Sequence, residues 1–289
     1  MVQKILYTAE EVKGMMENHT VILVDVRDKE FFEEAHIDGA VNIPDVFYFL
    51  STSSGEGIED LQETFQKHFS KAGISNDKVV IFYEDSLTKR YCGSCRGYWI
   101  SQYLGHEQAG ILYGGMDHWV AKGYDVASGK VESVPAEFEV RPSSFFMATK
   151  DDVKEALDDP SVKLLDDRDR EEWEGASSSP YGVDFAPRKG RIPGAKWIEW
   201  REFMEVIGEY PAFKSPETIQ ALCAEQDLYP DDDIIIYCFK GSRASNTYVA
   251  LKLAGFKKLR IYFASWNEWS RDPDLPIEEA FPSDTKRDD

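Results

Sequence analysis

Basic residues are scarce in this chain. Its 289 residues include 33 lysines and arginines against 53 aspartates and glutamates, which gives a formal net charge of −20. A surface of this sign repels nucleic acid and anionic membranes unless basic residues cluster, and the sequence contains no basic run. The longest apolar runs, at 79–83 and 234–237, are far shorter than the ~20 residues that span a bilayer. We therefore expect neither nucleic acid nor a membrane among the partners.

Cysteine and histidine are rare as well. The only cysteines are Cys92, Cys95, Cys223 and Cys238, too few for a disulfide scaffold, and this usage is typical of a reducing compartment. The first residues show no apolar core of a secretory signal, so a cytoplasmic location is the expectation. All five histidines precede residue 120, and the second half of the chain therefore offers no imidazole for acid–base chemistry.

The chain contains an internal repeat with the length of a domain. Each copy shows, in the same order, an apolar strand ending in Asp-x-Arg, a Gly-Ala motif, a second apolar strand and a closing helix with tryptophan. These features fall at residues 25–27, 36–40, 79–83 and 119 in the first copy, and at 166–168, 191–195, 234–237 and 269 in the second. We predict two domains, 1–127 and 143–289, joined by a polar, proline-containing linker at 128–142.

Short apolar strands alternate with amphipathic helices in both copies. The predicted helices cover residues 9–17, 61–72, 150–157 and 215–226, and residues 175–191 read as a surface loop inserted into the second copy. This alternation predicts an α/β fold, with a mainly parallel sheet and helices on both faces in each domain. Ligands of such sheets bind beyond the carboxyl ends of the strands, which directs attention to the loops after Tyr83 and Tyr237.

Cys238 directly follows the second apolar strand of the later copy and begins a loop that leads into a predicted helix. A helix N-terminus and nearby cations favour the thiolate form of a cysteine. Lys240 and Arg243 supply cations in this loop, Gly241 lets its backbone turn inward, and Arg168 is a further cation. Because this half of the chain lacks histidine, a Cys–His pair is not expected within it. Such a thiolate suits sulfur transfer through a persulfide, or phosphoryl or arsenate chemistry.

Together these motifs resemble the tandem rhodanese family of two-domain sulfurtransferases, over nearly the whole chain. The resemblance implies two rhodanese-like domains, of which the second is catalytic and the first is not. It implies that Cys238 takes the outer sulfur of a donor such as thiosulfate and passes it to cyanide, another thiol or a protein acceptor. No cofactor and no metal is expected.

The sequence of the Cys238 loop bears on the donor. Thiosulfate-using members resemble Cys-Arg-Lys-Gly at this place and mercaptopyruvate-using members resemble Cys-Gly-Ser-Gly, whereas residues 238–241 read Cys-Phe-Lys-Gly. The Lys-Gly half favours thiosulfate, with 3-mercaptopyruvate as the alternative donor. By resemblance, Lys240 and Arg168 bind the donor's sulfonate, Gly241 shapes the loop, and Arg243 adds a third cation or braces the loop.

Two other classes of function compete with sulfur transfer. A phosphatase or arsenate reductase of related fold needs a Cys-x5-Arg loop to wrap its anion, and Cys238 to Arg243 is one residue shorter. A non-catalytic regulatory module would have no need of a cysteine in a cation-lined loop.

The first copy carries different chemistry. Glu84 stands opposite Cys238 in the repeat, so we expect this copy to be inert in sulfur transfer. Cys92 and Cys95 form a Cys-x-x-Cys at a predicted helix start, a pattern typical of a redox pair or of a resolving thiol. The alternative is that both pack in the core, as we expect for Cys223; a metal site would need two more ligands.

Overall fold

The computed structural model describes residues 4–18 and 20–279, which divide into two compact units. The first unit runs to Ser51 and adds Gly55–Phe146 and Met204–Phe213; the second contains Thr52–Ser54, Met147–Phe203 and the chain from Lys214 on. The segment predicted as a linker packs in the first unit, where the ring of Phe138 lies 5.0 Å from that of Phe69. The limits 1–127 and 143–289 stay a prediction, and residues 1–3 and 280–289 lie outside the described part.

The first half of the chain forms a five-stranded parallel sheet, with helices between its strands. Its elements are β1 (Leu6–Tyr7), α1 (Ala9–Glu17), β2 (Val21–Asp25), α2 (Lys29–Glu34), β3 (His36–Ile37), β4 (Val41–Asn42), α3 (Asp45–Tyr48), α4 (Gly55–Lys71), β5 (Val79–Tyr83), α5 (Gly93–Tyr103), β6 (Ala109–Leu112), α6 (Gly115–Ala121) and β7 (Val126–Ala127). The strand order is β1-β6-β5-β2-β4, and β3 pairs with β7 in a separate antiparallel ribbon.

The second half repeats this arrangement. Its elements are β8 (Met147–Ala148), α7 (Lys150–Ala156), β9 (Val162–Asp166), α8 (Arg170–Trp173), β10 (Lys196–Trp197), β11 (Met204–Ile207), β12 (Tyr210–Phe213), α9 (Pro216–Ala224), β13 (Asp233–Tyr237), α10 (Ser242–Leu253), β14 (Lys258–Tyr262) and α11 (Ser265–Trp269). The parallel order is β8-β14-β13-β9-β10, so β13 is central as β5 is in the first sheet, while β11 and β12 form a hairpin in the first unit. The predicted α/β class with parallel sheets is confirmed.

Local sequence signals explain where the helices begin. The Thr8 side chain accepts from the Glu11 amide while the Glu11 side chain accepts from the Thr8 amide, and Thr149 and Asp152 repeat this capping box before α7. Helix α4 begins at Gly55 instead of residue 61. Its buried positions Gly57, Leu61, Phe65 and Phe69 are spaced by four residues, so the buried face extends one turn before the predicted start. Among the described residues, no helix has both the length and the apolar character needed to cross a membrane.

The same tyrosine holds the Gly-Ala motif in both copies. The hydroxyl of Tyr83, at the end of β5, accepts a hydrogen bond from the amide of Ile37, and the hydroxyl of Tyr237 accepts one from the amide of Ile192, each at 3.2 Å. Both tyrosines lie in a hydrophobic core that also contains the tryptophan of the closing helix. The motif and the central strand end are therefore fixed to each other, and the loop after each tyrosine starts from a rigid point.

Candidate active site

Cys238 lies at the carboxyl end of β13, at the start of the loop that enters α10. The residue is buried, with 1% of its surface exposed. The amide of Gly241 donates a hydrogen bond to its Sγ at 3.0 Å, and α10 begins with the next residue. An anion at this sulfur therefore meets an oriented N–H group and the positive end of a helix dipole. The structure thus brings Cys238 and Gly241 together, and a role of Gly241 in binding the donor stays a prediction.

The loop needs glycine at position 241. Gly241 has φ +85°, in the left-handed region, and a Cβ there would lie 3.1 Å from the carbonyl oxygen of Phe263. Both the backbone conformation and the close approach disfavour any other residue. The glycine thereby aims its own amide at Cys238.

Helix α11 fixes the backbone of the same loop. The Cys238 amide donates to Ser265 Oγ at 3.1 Å, the Trp266 amide donates to the Cys238 carbonyl at 3.1 Å, and the Asn267 amide donates to the Phe239 carbonyl at 3.0 Å. Ser265 adopts φ +55°, which is unusual for a residue with a side chain. The start of α11 therefore determines the orientation of the peptide groups around the thiol.

Arg243 is paired with carboxylates. Both of its terminal nitrogens contact the carboxylate of Glu172, and Nη1 lies 3.3 Å from Asp169 Oδ2. Burial opposes charge on this guanidinium, but the negative charge of Glu172 and its hydrogen bonds to Arg243 hold the pKa of Arg243 well above its ordinary value. This geometry ties the first turn of α10 to α8 while keeping a cation close to the sulfur.

Arg168 is fully buried and is held by the end of its own strand. Its Nε and Nη2 donate to the carboxylate of Asp166 at 2.6–3.0 Å, and its Nη2 also donates to the Gly190 carbonyl. In the first copy, Arg27 makes the same contacts with Asp25. The Asp–Arg ion pair at the end of this strand thus occurs in both copies of the fold. Among the described residues, Arg168 Nη1 has no hydrogen-bond partner and keeps its capacity to donate, and donor binding by Arg168 stays a prediction.

A further buried carboxyl group lies in the second copy. Asp167 takes the place of Val26 in the Asp-x-Arg motif, and the hydroxyl of Thr247 in α10 donates to it at 2.6 Å. Burial raises the pKa of Asp167 well above its ordinary value, although the Thr247 hydrogen bond and the charge of Arg243 lower it. The Thr247 hydrogen bond thus ties the residue that follows β9 to helix α10.

Lys240 is the remaining cation of the loop. It is 7% exposed, and its Nζ lies 5.7 Å from the centroid of the Tyr181 ring. Tyr181 comes from the loop that the sequence predicts as an insertion, and residues 175–191 contain no helix or paired strand apart from a bridge at Arg191. The predicted contact of Lys240 with the donor stays a prediction.

The first copy holds a carboxyl group where the second holds the thiol. Glu84 follows β5 directly, is fully buried, and accepts hydrogen bonds from the amide and hydroxyl of Ser94 in α5. Burial raises the pKa of Glu84 to about 8, against the opposing effect of these hydrogen bonds. The carboxyl group is thus mostly protonated at neutral pH. The first copy thus carries a carboxyl group, and no thiol, at the place of Cys238, and its inertness in sulfur transfer stays a prediction.

The three other cysteines are enclosed. Cys92, Cys95 and Cys223 are all 0% exposed, and the structure holds all four cysteines as thiols. Cys92 is the residue before α5, with φ +61°, and its thiol contacts the Leu87 carbonyl. Burial raises the pKa of Cys223 to about 12, consistent with the predicted core position. The redox role of Cys92 and Cys95 stays a prediction.

Sequence reasoning missed two residues of the site, and the repeat contains a signal for both. Ser265 corresponds to Gly115, since the amide of the next residue donates to the carbonyl of Cys238 in one copy and of Glu84 in the other.

The second missed residue, Glu172, corresponds to Phe31 when the N-caps of the two helices, Asp169 and Asp28, are matched. A serine at a glycine position and a buried acid at an exposed phenylalanine position occur only in the copy with the thiol.

Comparisons with known proteins cover both copies. The family profile described as Rhodanese-like domain matches residues 8–122 and 149–272. The chain is 31% identical over 268 residues to a Haloferax volcanii protein named putative thiosulfate sulfurtransferase, covering 91% of this chain and 89% of that one. It is 28% identical over 273 residues to 3-mercaptopyruvate sulfurtransferase of Mus musculus, again covering 91% and 89%. The sulfur carrier protein TtuD of Thermus thermophilus is 30% identical over 283 residues, with 95% and 96% covered.

A solved structure shares the fold. The anaerobic ergothioneine biosynthesis enzyme from Chlorobium limicola superposes with a TM-score of 0.81 at 22% identity, covering 96% of this chain and 70% of that one. At this identity the likeness concerns the arrangement of the chain and not its chemistry.

Proposed function

The chain belongs to the rhodanese-like domain family, of which it carries two copies, and on this premise we propose that it is a thiosulfate sulfurtransferase. The relatives named above, at 28–31% identity, are called sulfurtransferases or a sulfur carrier. In the proposed reaction, a sulfane sulfur moves from thiosulfate to cyanide or another thiol through a persulfide on Cys238. A protein acceptor and a cytoplasmic location stay predictions.

The proposed chemistry needs a thiolate and no proton shuttle. The Cys238 thiolate attacks the outer sulfur of thiosulfate, the S–S bond of the donor breaks, and sulfite leaves with the electron pair. Cyanide then attacks the terminal sulfur of the persulfide, thiocyanate leaves, and the thiolate is regenerated. Each step begins and ends with an anion at the sulfur, which is the charge that an N–H cradle stabilises.

One observation carries the proposal: the Gly241 amide donates to Cys238 Sγ at the start of α10. The amide and the helix dipole stabilise the negative charge of both the thiolate and the persulfide, so no histidine is required. The pairing of Arg243 with Glu172 supports sulfur transfer over phosphate chemistry, because this guanidinium is already matched by a carboxylate. The near-complete burial of Cys238 favours a small donor.

Thiosulfate and 3-mercaptopyruvate remain the two donors to compare. Thiosulfate carries two negative charges and is favoured by a cation in the loop, which Lys240 provides. The mouse relative named for 3-mercaptopyruvate is the reason to test that donor beside it. We expect a higher kcat/KM with thiosulfate.

The proposal is tested by thiocyanate formation from thiosulfate and cyanide. Cys238→Ser is expected to abolish it, whereas Cys223→Ser, which changes a buried thiol of the same unit, is expected to retain it. Equal rates for Cys238→Ser and the parent protein would remove this thiol from the reaction. Thiocyanate formation that depends on Cys238 only with 3-mercaptopyruvate would change the donor and keep the mechanism.

A further inference from the structure

The catalytic copy contains a loop that the other copy lacks. In the first copy only Ala35 and His36 separate α2 from Ile37, whereas residues 174–191 separate α8 from Ile192. The two sheets share one strand order, so this insertion is a local difference between two otherwise similar copies. Because the insertion occurs only in the copy that carries Cys238, it is a candidate for influencing how this thiol reacts.

One side chain of this insertion lies on the Cys238 loop. The ring of Tyr181 is 5.0 Å from that of Phe239, centroid to centroid, and 5.7 Å from the Nζ of Lys240. An ammonium group within about 6 Å of an aromatic ring centroid is attracted by the electrons of the ring face. Phe239 and Lys240 are nearly buried, while Tyr181 keeps 41% of its surface exposed. Tyr181 thus covers Phe239 and Lys240, the two residues that follow Cys238, on the side that faces solvent.

The insertion is held by the same helix that holds the nucleophile. Arg188 donates to the carbonyls of Trp269 and Ser270 at 2.7 and 3.0 Å, and Asn267 Nδ2 donates to the Phe185 carbonyl at 2.9 Å. These residues lie in or directly after α11, whose first amides fix the carbonyls of Cys238 and its neighbour. Tyr181 therefore has a defined position relative to the Cys238 loop.

We infer that Tyr181 is a positioning residue that holds the ammonium of Lys240 where it binds an anion next to Cys238. The ring restrains a long and flexible side chain through a cation–π contact, so the positive charge stays at the loop. Tyr181 would then determine how strongly the site prefers a negatively charged reactant over a neutral one. The inference rests on the proposed function for its biological meaning, but its test does not require sulfur transfer.

Two alkylating reagents of similar size test the inference directly. With iodoacetate and iodoacetamide the Cys238 sulfur forms a bond to the CH2 carbon, the C–I bond breaks, and iodide leaves with the electron pair. One reagent is anionic and the other neutral, so the ratio of their rates on the Cys238 peptide, followed by mass spectrometry, reports the cation at the site. Tyr181→Leu is expected to lower this ratio roughly two- to fivefold, as for loss of a partly exposed cation–π contact.

Three variants make the outcome specific. Tyr181→Phe keeps the ring and is expected to keep the ratio. Val183→Ala, which trims another exposed apolar side chain of the insertion, is expected to keep the ratio as well. In a Lys240→Met background, Tyr181→Leu is expected to change nothing further, because the two residues act through one contact. An unchanged ratio in Tyr181→Leu, or an equal fall with and without Lys240, would overturn the inference. Melting temperatures of all variants show whether the fold is retained.

The outcome is distinguishable from that of the proposed function. If thiosulfate gives no thiocyanate and the alkylation ratio still depends on Tyr181 through Lys240, the inference holds and the donor is wrong. If thiocyanate forms and the ratio is independent of Tyr181, sulfur transfer holds and the positioning role is wrong. With an active enzyme, Tyr181→Leu should also raise the KM for thiosulfate and leave kcat unchanged.

Discussion

Three cationic side chains accompany the thiol, and their surroundings differ. Arg168 is paired with Asp166 and Arg243 with Glu172, whereas Lys240 lies against an aromatic ring. A guanidinium matched by a buried carboxylate contributes geometry more than net charge, because the pair is nearly neutral from a distance. At the scale of single residues, we propose that Lys240, the cation two residues after Cys238, meets the charge of the donor.

Lys240→Ala is expected to raise the KM for thiosulfate about ten- to hundredfold, since hydrogen bonds to charged groups contribute about 1.5–3 kcal/mol. If the ammonium binds the donor equally in the ground and transition states, kcat changes little. Steady-state kinetics with varied thiosulfate measure both constants. Lys257→Ala is the control, because it removes an exposed lysine of the same unit that pairs with Asp231. A KM as low as that of the parent protein would contradict the assignment.

Glu84→Gln is expected to change how the stability of the first unit depends on pH. The pKa of Glu84 is raised from its ordinary value of 4.5 to about 8 in the folded protein. A raised pKa contributes stability that is fully present below pH 4.5 and is lost as the pH rises through 8, at roughly 1.4 kcal/mol per unit of pKa shift. The parent protein should thus lose stability over this range relative to Glu84→Gln.

Urea unfolding at a series of pH values measures this difference. Glutamine keeps the shape of the side chain and an oxygen that accepts from Ser94, so the variant is matched to the parent in packing. Parallel stability curves from acid to mildly alkaline pH would show that Glu84 does not titrate in the folded protein as proposed.

At the scale of elements, the loop between β13 and α10 places the Gly241 amide against Cys238 Sγ at the start of the helix. The position of Cys238 after the strand was predictable, because strand ends are marked by apolar runs and the helix start by Gly241. The partner of Arg243 was not, since Glu172 lies far away in the sequence and its burial depends on tertiary packing. Ser265 was missed because serine gives no hint of a left-handed backbone.

Gly241→Ala is expected to impair the site more than the fold. Placing a side chain at φ +85° costs roughly 1–2 kcal/mol, and the new Cβ would crowd the Phe263 carbonyl. The shifted amide would no longer point at Cys238 Sγ, and misplacement of this kind lowers rates by up to about a hundredfold. The rate of persulfide formation and the free energy of unfolding measure the two effects.

Gly208→Ala is the matched control for Gly241→Ala. Gly208, in the turn between β11 and β12, also has a positive φ, of +66°, but no atom of the described residues lies within 4 Å of its added Cβ. It should lose similar stability and keep the rate of persulfide formation. If the two variants were equally active, the aim of the Gly241 amide would not matter for the reaction.

At the scale of the whole molecule, the two halves of the chain share one arrangement of parallel strands. Both copies keep the parallel strand order, the Asp–Arg ion pair at the strand end and the tyrosine that accepts a hydrogen bond from the Gly-Ala motif. The repeat in the sequence was enough to predict that both copies share one fold, because these features depend on short sequence motifs. We expect their chemistry to differ, because Glu84 in the first copy takes the place that Cys238 has in the second.

The predicted redox pair of the first copy is tested by counting thiols. The structure holds four thiols, so a Cys92–Cys95 disulfide after mild oxidation would leave two in the denatured protein. Both residues are buried, and we expect the pair to form only when the start of α5 opens. Four remaining thiols after oxidation would remove the redox hypothesis, and Cys92→Ser should in either case retain the rate of thiocyanate formation.

The central claim is that one thiol, in the second copy, carries the transferred sulfur. It is tested most directly by treating the protein with thiosulfate, digesting it and measuring the mass of each cysteine-containing peptide. The account predicts that the Cys238 peptide gains the mass of one sulfur atom, that cyanide removes it, and that the peptides of Cys92, Cys95 and Cys223 are unchanged. An unmodified Cys238 peptide, or sulfur bound to any of the others in its place, would contradict it.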